Sequence, residues 1–270
     1  MDNYIESYIK SIYGFDINNC SKEELLKITQ INARDVTGIR QYDEKFDWDF
    51  SKLTNLKTID CSYNTIDSID ISQNILLEEI CWMGVRGKLS KPIDLSHNVN
   101  LKKIVGGQDG LIKLDLSNNT KLEEIMILNS LSLRWINLDN CLNLKKIIMN
   151  GVNIPFVDLT NCSNLEYCEI HYWNLYRNKR NEYGNGYPRP ILFVQEDFNE
   201  DIIPAGIRSI SNYTYYLVRT GPNSAERQFL DYLKANEKMF TSIPPNIYGH
   251  QVARMHYQLL DELRNYRIEK

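Results

Sequence analysis

The chain has 270 residues, 31 basic and 35 acidic, for a formal charge of −4 at pH 7, which excludes a nucleic-acid binder held by bulk positive charge. Its 43% apolar and 24% charged residues are those of a globular chain long enough to bury a core without staples. Six cysteines are too few for a disulfide-built scaffold, and no run reaches the roughly 18 apolar residues that a membrane-crossing helix needs.

The start, Met1-Asp2-Asn3-Tyr4-Ile5-Glu6, lacks the basic stretch and apolar run of a secretory leader. The expected location is therefore the cytoplasm, or outside it by a route that needs no such leader. Tyr4, Ile5, Tyr8, Ile9, Ile12 and Tyr13 fall at helical spacing, and Gly14 follows as a stop. Ser21-Lys22-Glu23-Glu24 reads as a capping box that opens a second short helix with Leu25 and Leu26. Ile28, Ile31, Ala33 and Val36 then resemble a degenerate first strand. Residues 1–52 are expected to form a helical N-terminal cap plus that degenerate repeat, joining the regular units through Phe46–Phe50.

Asparagine occurs 29 times, 16 of them between Leu53 and Asn174. Because asparagine tolerates left-handed backbone and bonds its own chain in tight turns, the excess predicts one turn repeated many times. Leu56, Leu77, Leu101, Leu122, Leu144 and Leu165 mark the phase, at spacings of 21, 24, 21, 22 and 21 residues. Three residues after each mark stand Ile59, Ile80, Ile104, Ile125, Ile147 and Cys168. Five after it stand Cys61, Trp82, Gly106, Ile127, Met149 and Ile170. A second pattern recurs later in each unit: Ile69-Asp70-Ile71-Ser72, Ile93-Asp94-Leu95-Ser96, Leu114-Asp115-Leu116-Ser117, Ile136-Asn137-Leu138-Asp139, Val157-Asp158-Leu159-Thr160.

A period in the low twenties with this spacing of leucines predicts a leucine-rich repeat solenoid. A short strand cannot bury an apolar face alone, but stacked on its copies it can. The return limb is too short for a full helix, so a second short strand or irregular backbone is expected there. The run Leu114-Asp115-Leu116-Ser117-Asn118-Asn119-Thr120-Lys121-Leu122 and the segment Ile59-Asp60-Cys61-Ser62-Tyr63-Asn64 resemble bacterial leucine-rich repeat proteins, in particular the 21-residue internalin-like class. The resemblance covers roughly residues 28–175. It implies a scaffold for protein recognition, with no catalytic residues to carry over. The expected fold is an α/β solenoid: a right-handed coil with a parallel concave sheet, short second strands or irregular return limbs, a helical N-terminal cap and an α+β C-terminal cap.

Past the repeats, taken as residues 53–175, the period is lost. Residues 176–190 have the turn formers and charge of an exposed loop. Ile191–Val194 and Tyr213–Val218 read as strands, Ser224 as the cap of a helix holding Phe229, Leu230, Leu233 and Ala235, and 250–266 as a last helix with Val252, Met255, Leu259, Leu263 and Tyr266 on one face. Residues 176–270 are either a cap packed on the last coil or a small α+β appendage; their size favours the cap.

Strand alternation predicts which side chains leave the solenoid. They are Thr58, Asp60 and Ser62; Glu79, Cys81 and Met83; Lys103, Val105 and Gly107; Glu124, Met126 and Leu128; Lys146, Ile148 and Asn150; Tyr167, Glu169 and His171. The middle column, Asp60-Cys81-Val105-Met126-Ile148-Glu169, is an apolar stripe between two acids, at about 4.8 Å per strand. Such a patch marks an interaction surface more often than a solvated face. Burial under the C-terminal segment and self-association are the other readings. The column Glu79, Lys103, Glu124, Lys146 alternates in sign, as simple cross-strand pairing requires. The expected partner-binding residues are Glu79, Met83, Lys103, Val105, Glu124, Met126, Lys146, Ile148, Tyr167, Glu169 and His171.

Other chemistry finds little support. The column Asp70, Asp94, Asp115, Asn137, Asp158 invites calcium, yet each residue can bond neighbouring backbone amides instead. Cys141 and Cys162 share the slot of Asn74, Asn98 and Asn119 and are expected as buried thiols. His250 and His256 lie on different sides of a helix. Catalytic and nucleotide-binding motifs are absent, and Gly106-Gly107-Gln108-Asp109-Gly110 sits at a repeat turn. Cys168 points in while Glu169 and His171 point out, which separates the one cysteine–histidine pair. Arg177–Arg180, with Tyr176, Tyr183 and Tyr187, reads as a solvated loop rather than a nucleic-acid track. Tyr167, Tyr172, Trp173 and Tyr176 read as an aromatic wall on the last coil. The expectation is a non-catalytic, monomeric recognition scaffold for a protein partner, without cofactor, metal or membrane. The alternative is an effector whose repeats select a target and whose C-terminal segment carries the activity.

Overall fold

A strand of three to five residues is stable only when both of its edges and its apolar face are covered, and the repeat solves this by stacking. The computed structural model describes residues 4–36, 46–85, 92–107, 110–171, 190–203, 216–242, 255 and 258–265. It is a parallel-strand solenoid of about six turns. Seven strands form its main sheet in the order β1 (Gln30–Asn32), β3 (Thr58–Asp60), β5 (Glu79–Cys81), β6 (Lys103–Gly107), β8 (Glu124–Leu128), β10 (Lys146–Asn150), β12 (Tyr167–His171). The register places Ile59, Ile80, Ile104, Ile125, Ile147 and Cys168 on one rung after another. All six are buried, as are the six phase-marking leucines. Each such side chain removed from water stabilises the fold by about 1.5–3 kcal/mol.

The return limbs carry the second strands expected there. β2 (Phe46–Asp49) pairs with β4 (Ile66–Asp70), β7 (Lys113–Asp115) with β9 (Trp135–Asn137), and β11 (Phe156–Asp158) with β13 (Ile191–Gln195) and β14 (Tyr216–Thr220), all parallel. Around Ile93-Asp94 the limb is irregular.

Asparagine joins coil to coil as well as shaping turns. Asn74 donates its amide to the carbonyls of Phe50 (3.1 Å) and Leu53 (2.7 Å). Asn98 donates to Ile71 (3.0 Å) and Asn74 (2.9 Å), and Asn119 to Leu95 (3.1 Å) and Asn98 (2.9 Å). These three side chains are buried, and each satisfies backbone acceptors of the coil before it. Cys141 takes over the slot with a thiol 3.5 Å from the Leu116 carbonyl. A second ladder nearer the surface runs one residue before the marks: Asn100, Asn143 and Asn164 each donate to a carbonyl of the preceding coil, and Asn55 to Leu26 at the end of the second helix, all at 2.8 Å. Charge completes the stacking. Lys57, Glu78 and Lys102 form one alternating run (3.8 and 2.7 Å), and Glu123 pairs with Lys145 at 2.7 Å. These pairs hold the Glu78 and Glu123 carboxyls below their usual range through bonds to Lys102 and Lys145.

At the start, α1 (Tyr4–Tyr13) buries Ile5 and Ile9 in the solenoid core and packs against β2. Gly14 ends it at a φ of +79°. Ile12, expected on the same face, is exposed instead. The hydroxyls of Tyr8 and Tyr13 donate to the Asn32 (2.7 Å) and Gln30 (3.1 Å) carbonyls. Those carbonyls belong to β1, the end strand of the main sheet, so the phenols satisfy acceptors that no strand reaches. α2 (Lys22–Leu26) has the capping box of Ser21 and Glu24 that its sequence predicts.

At the other end β13 and β14 extend the second side, and α3 (Ala225–Ala235), capped by Ser224, packs on β14. Of the strand expected from Tyr213 the structure describes Tyr216–Thr220, and residues 213–215 lie outside the described residues. α4 (Lys238–Thr241) and helical residues 258–265 follow. Phe193, Phe229, Leu230, Leu233, Phe240, Leu259 and Leu263 close with Trp135 and Phe156 into a second core. Trp135 meets Phe156 edge-on at 5.3 Å and stacks on Phe240 at 5.7 Å. Lys234 bridges Asp139 and Asp158, and Lys113 reaches Glu237 at 2.8 Å. Val252 and Tyr266 of the expected last helix lie outside the described residues.

Replacing Asn98 by alanine removes the inter-coil donor to the Ile71 and Asn74 carbonyls, which keep only the turn amides of Asn74 and Leu77, and should lower the unfolding free energy by about 1–2 kcal/mol. Asn98→Cys, which copies the Cys141 slot, should lose less. Urea denaturation reads both, and equal losses would mean that the ladder amides are not what holds the coils.

Candidate functional site

The outward face of the main sheet brings most of the expected binding residues together in two columns. Glu79, Lys103, Glu124, Lys146 and Tyr167 are aligned by strand register, and so are Cys81, Val105, Met126, Ile148 and Glu169. Glu79 is exposed; Met83, Lys103, Val105, Glu124, Met126, Lys146, Ile148, Tyr167 and Glu169 are half-buried. His171 closes β12, but its side chain lies outside what the structure describes. Two members of the expected outward set are not on the face. Ser62 and Gly107 are both buried. Gly107 takes a φ of +151°, and a Cβ there would stand 1.8 Å from the Leu128 carbonyl oxygen. Its neighbour Gly106 leaves the space that the Trp82 indole fills, 2.3 Å from where a Cβ would sit.

The apolar stripe keeps partial exposure along its whole length, Cys81 through Ile148. The described apolar side chains of the C-terminal segment gather on Trp135 and Phe156 of the second side, or join the solenoid core beneath the strands. Both ends of the stripe are polar networks. At the first coils Asp60 accepts the Ser62 amide at 2.9 Å, with the Arg34 guanidinium 4.0 Å away and also over the Tyr63 ring at 4.5 Å. At the last coil Glu169 accepts the Tyr167 hydroxyl at 2.8 Å and the Asn150 amide at 2.6 Å. The bond to Glu169, with burial behind it, raises the Tyr167 phenol above its ordinary range, and Lys146 stands over that ring at 5.7 Å. Lys103 and Glu124 pair at 3.5 Å with their side chains still 43% exposed, so the alternating column does pair across strands.

A shallow concavity opens over β1, β3, β5 and β6, lined by Gln30, Asn32, Thr58, Asp60, Glu79, Cys81, Lys103 and Val105. Gln30, Asn32, Arg34 and Tyr63 are the face residues that the repeat pattern missed. They lie on the degenerate first strand or just past the strand end, where the phase marks give no guidance.

The aspartate column has a structural role. Asp70, Asp94, Asp115, Asn137 and Asp158 each accept the backbone amide two residues on, at 2.9–3.2 Å. Bonds from Ser96 hold the Asp94 carboxyl below its usual range. Among the described residues no group of three or more His, Cys, Asp or Glu is placed to hold a metal ion. The basic, tyrosine-rich segment Tyr176–Arg180, the residues Tyr172 and Trp173, and both His250 and His256 lie outside the described residues.

No family model matches the chain, and no curated protein matches it. Among solved structures it is similar to the functional domain of InlJ from Listeria monocytogenes, whose description includes a cysteine ladder. The identity is 18% over 62% of this chain and 47% of that one, with a TM-score of 0.28. The chain thus spans about half the length of that structure. The leucine-rich-repeat-like character of the fold rests on the coils themselves.

The thiols divide by place. Cys61, Cys141, Cys162 and Cys168 are buried, and burial raises all four, Cys141 and Cys168 to about 12. Cys81 is half-exposed on the face, 2.9 Å from the Ser62 hydroxyl. Burial raises it as well, against the lowering bond to Ser62. Iodoacetamide should therefore modify Cys20 and Cys81 in the native protein and the other four only after unfolding. The rate at Cys81 should climb only above the ordinary thiol range, because its thiolate forms late. Peptide mapping checks this; native labelling of Cys141 or Cys168 would mean that the coils open.

Proposed function

We propose that this chain is a non-catalytic scaffold that recognises a protein partner on the outward face of its seven-stranded sheet. The carrying observation is the apolar stripe Cys81-Val105-Met126-Ile148, continuous across four strands and still half-exposed, between the Asp60 and Glu169 networks. A continuous apolar surface rimmed by polar groups is a docking surface more often than a solvated one. The Glu79, Lys103, Glu124, Lys146 column beside it supplies orientation rather than bulk affinity. The face is carried on backbone already paired on both sides, so little ordering entropy is lost on binding. Among the described residues no helix is long and apolar enough to cross a membrane. The reading takes the chain as acting in the cytoplasm.

For the C-terminal segment the packing favours a cap over an appendage that acts on its own. β13 continues the register of β11, and the second core needs Trp135 and Phe156 from the repeats.

Met126→Asp with Ile148→Asp should abolish capture of a protein partner from native lysate and leave the melting temperature within about 2 °C, since both side chains face outward. Unfolding by this pair would assign them to the core and remove the site. Ending the chain after residue 190 should expose Trp135 and Phe156 and destroy cooperative thermal unfolding. A truncated chain that melts as sharply as the whole, with residues 191–270 folding separately, would return the appendage reading to first place.

A further inference from the structure

We propose that the occupant of this face is a second copy of the same chain, docked about a two-fold axis running along the strands between β6 and β8. The inference rests on the reading above and names its partner. A rotation about such an axis keeps each side chain at its position along the strand and reverses the order of the strands. β5 then faces β10 of the second copy, and β6 faces β8.

Four outward charges and four apolar side chains lie on these same four strands, and both sets share that centre. In the charged column, Glu79 meets Lys146 of the second copy, and Lys103 meets Glu124, so every rung opposes unlike charges. In the stripe, Cys81 meets Ile148 and Val105 meets Met126, apolar on apolar throughout. Lys103 and Glu124 already pair within one chain at 3.5 Å but keep 43% of each side chain exposed, leaving both available to opposite charges from above. The outermost rung is the exception. Asp60 meets Glu169, two acids, although the Arg34 guanidinium stands 4.0 Å from Asp60.

The pattern also selects against neighbouring registers. With the axis moved onto β6, Glu79 meets Glu124 and Lys103 meets its own copy, which sets like charges on consecutive rungs. Six strands at about 4.8 Å span about 24 Å. Strands of three to five residues at about 3.3 Å per residue add about 10–17 Å in the other direction, so the footprint of about 240–400 Å² is below the ~800 Å² per partner of a standard stable interface and the dimer is weak and reversible.

Sedimentation velocity of the full chain from about 1 to 500 µM at low salt should show a monomer–dimer equilibrium that weakens as salt rises. Lys103→Glu alone and Glu124→Lys alone each set like charges on the central rungs, and each should weaken dimerisation at least about tenfold. Mixed together, the two variants restore unlike charges on both rungs and should form a heterodimer about as tight as the wild-type dimer. Pairing within a chain cannot produce that recovery, and thermal melts confirm that each variant is folded. Asp60→Asn keeps the acceptor for the Ser62 amide, removes the like-charged rung, and should tighten the dimer.

A monomer throughout the concentration range, or a mixture that stays monomeric, overturns the proposal. So does association that survives Met126→Asp, because it must use another surface. If the wild type is monomeric and the Met126→Asp, Ile148→Asp pair still abolishes capture of a different protein, self-association falls while the binding face stands.

Discussion

Backbone satisfaction between coils is the constraint on which everything else in this molecule depends. A coil of about 21 residues folds back too sharply to build helix or wide sheet, and its turns leave carbonyls pointing along the solenoid axis. Strand pairing satisfies some of them. Turn amides meet others, and the asparagines add donors from the next coil: Asn74, Asn98 and Asn119 inside to carbonyls of the coil before, Asn100, Asn143 and Asn164 outside likewise, and Asn55 to Leu26 at the end of α2. A slip of one residue would break both ladders and turn the isoleucine column toward water. Hydrophobic burial supplies the driving force, but the asparagines specify the register, and the register aligns the columns of the face.

Much of this is legible in the sequence because a repeat converts one local requirement into a visible column. The phase leucines predict six of the seven strands of the main sheet and the Ile28–Val36 segment the first, while the Ile-Asp-Leu-Ser pattern predicts the turn in which each aspartate accepts a nearby amide. Asparagine was legible as an excess but only partly as a role. Its enrichment suits tight turns, whereas the buried amides work between coils, a long-range function that a turn preference cannot reveal. The thiol of Cys141 shows that the slot tolerates a poorer donor once the ladder has been established.

The second core was less legible, although its signal is present. One residue before the second-strand isoleucine or its equivalent stand Ser68, Pro92, Lys113, Trp135 and Phe156. Lys113 and Trp135 occupy the same rung of their sheet. The outward position thus changes from non-aromatic to aromatic toward the last coils, where a covering layer is required. Lys113 reaches Glu237, and Trp135 stacks on Phe240, so the change in residue type follows the edge of the covering helices. Ile12 shows the converse: helical spacing placed it on the buried face, but it is exposed, while Tyr13 of the same turn packs against the core and bonds β1.

The two faces of the solenoid resolve the same problem in opposite ways. On the second side, large aromatic groups point outward and the C-terminal helices cover them, so the surface is used up within the chain. On the main sheet the outward groups are medium-sized aliphatic and thioether side chains beside charges that only partly neutralise one another, and the described C-terminal apolar groups go elsewhere. A stripe left in that state makes the isolated chain more prone to association than a fully polar face would, a liability that edge and surface residues usually remove. The flanking ladder moderates it. In the proposed dimer the alternating lysine and glutamate beside the stripe disfavour mismatched surfaces and favour one with the reverse order of charge. The specificity proposed for this face would therefore lie in the sequence of signs along the rungs, which the strand register keeps in place.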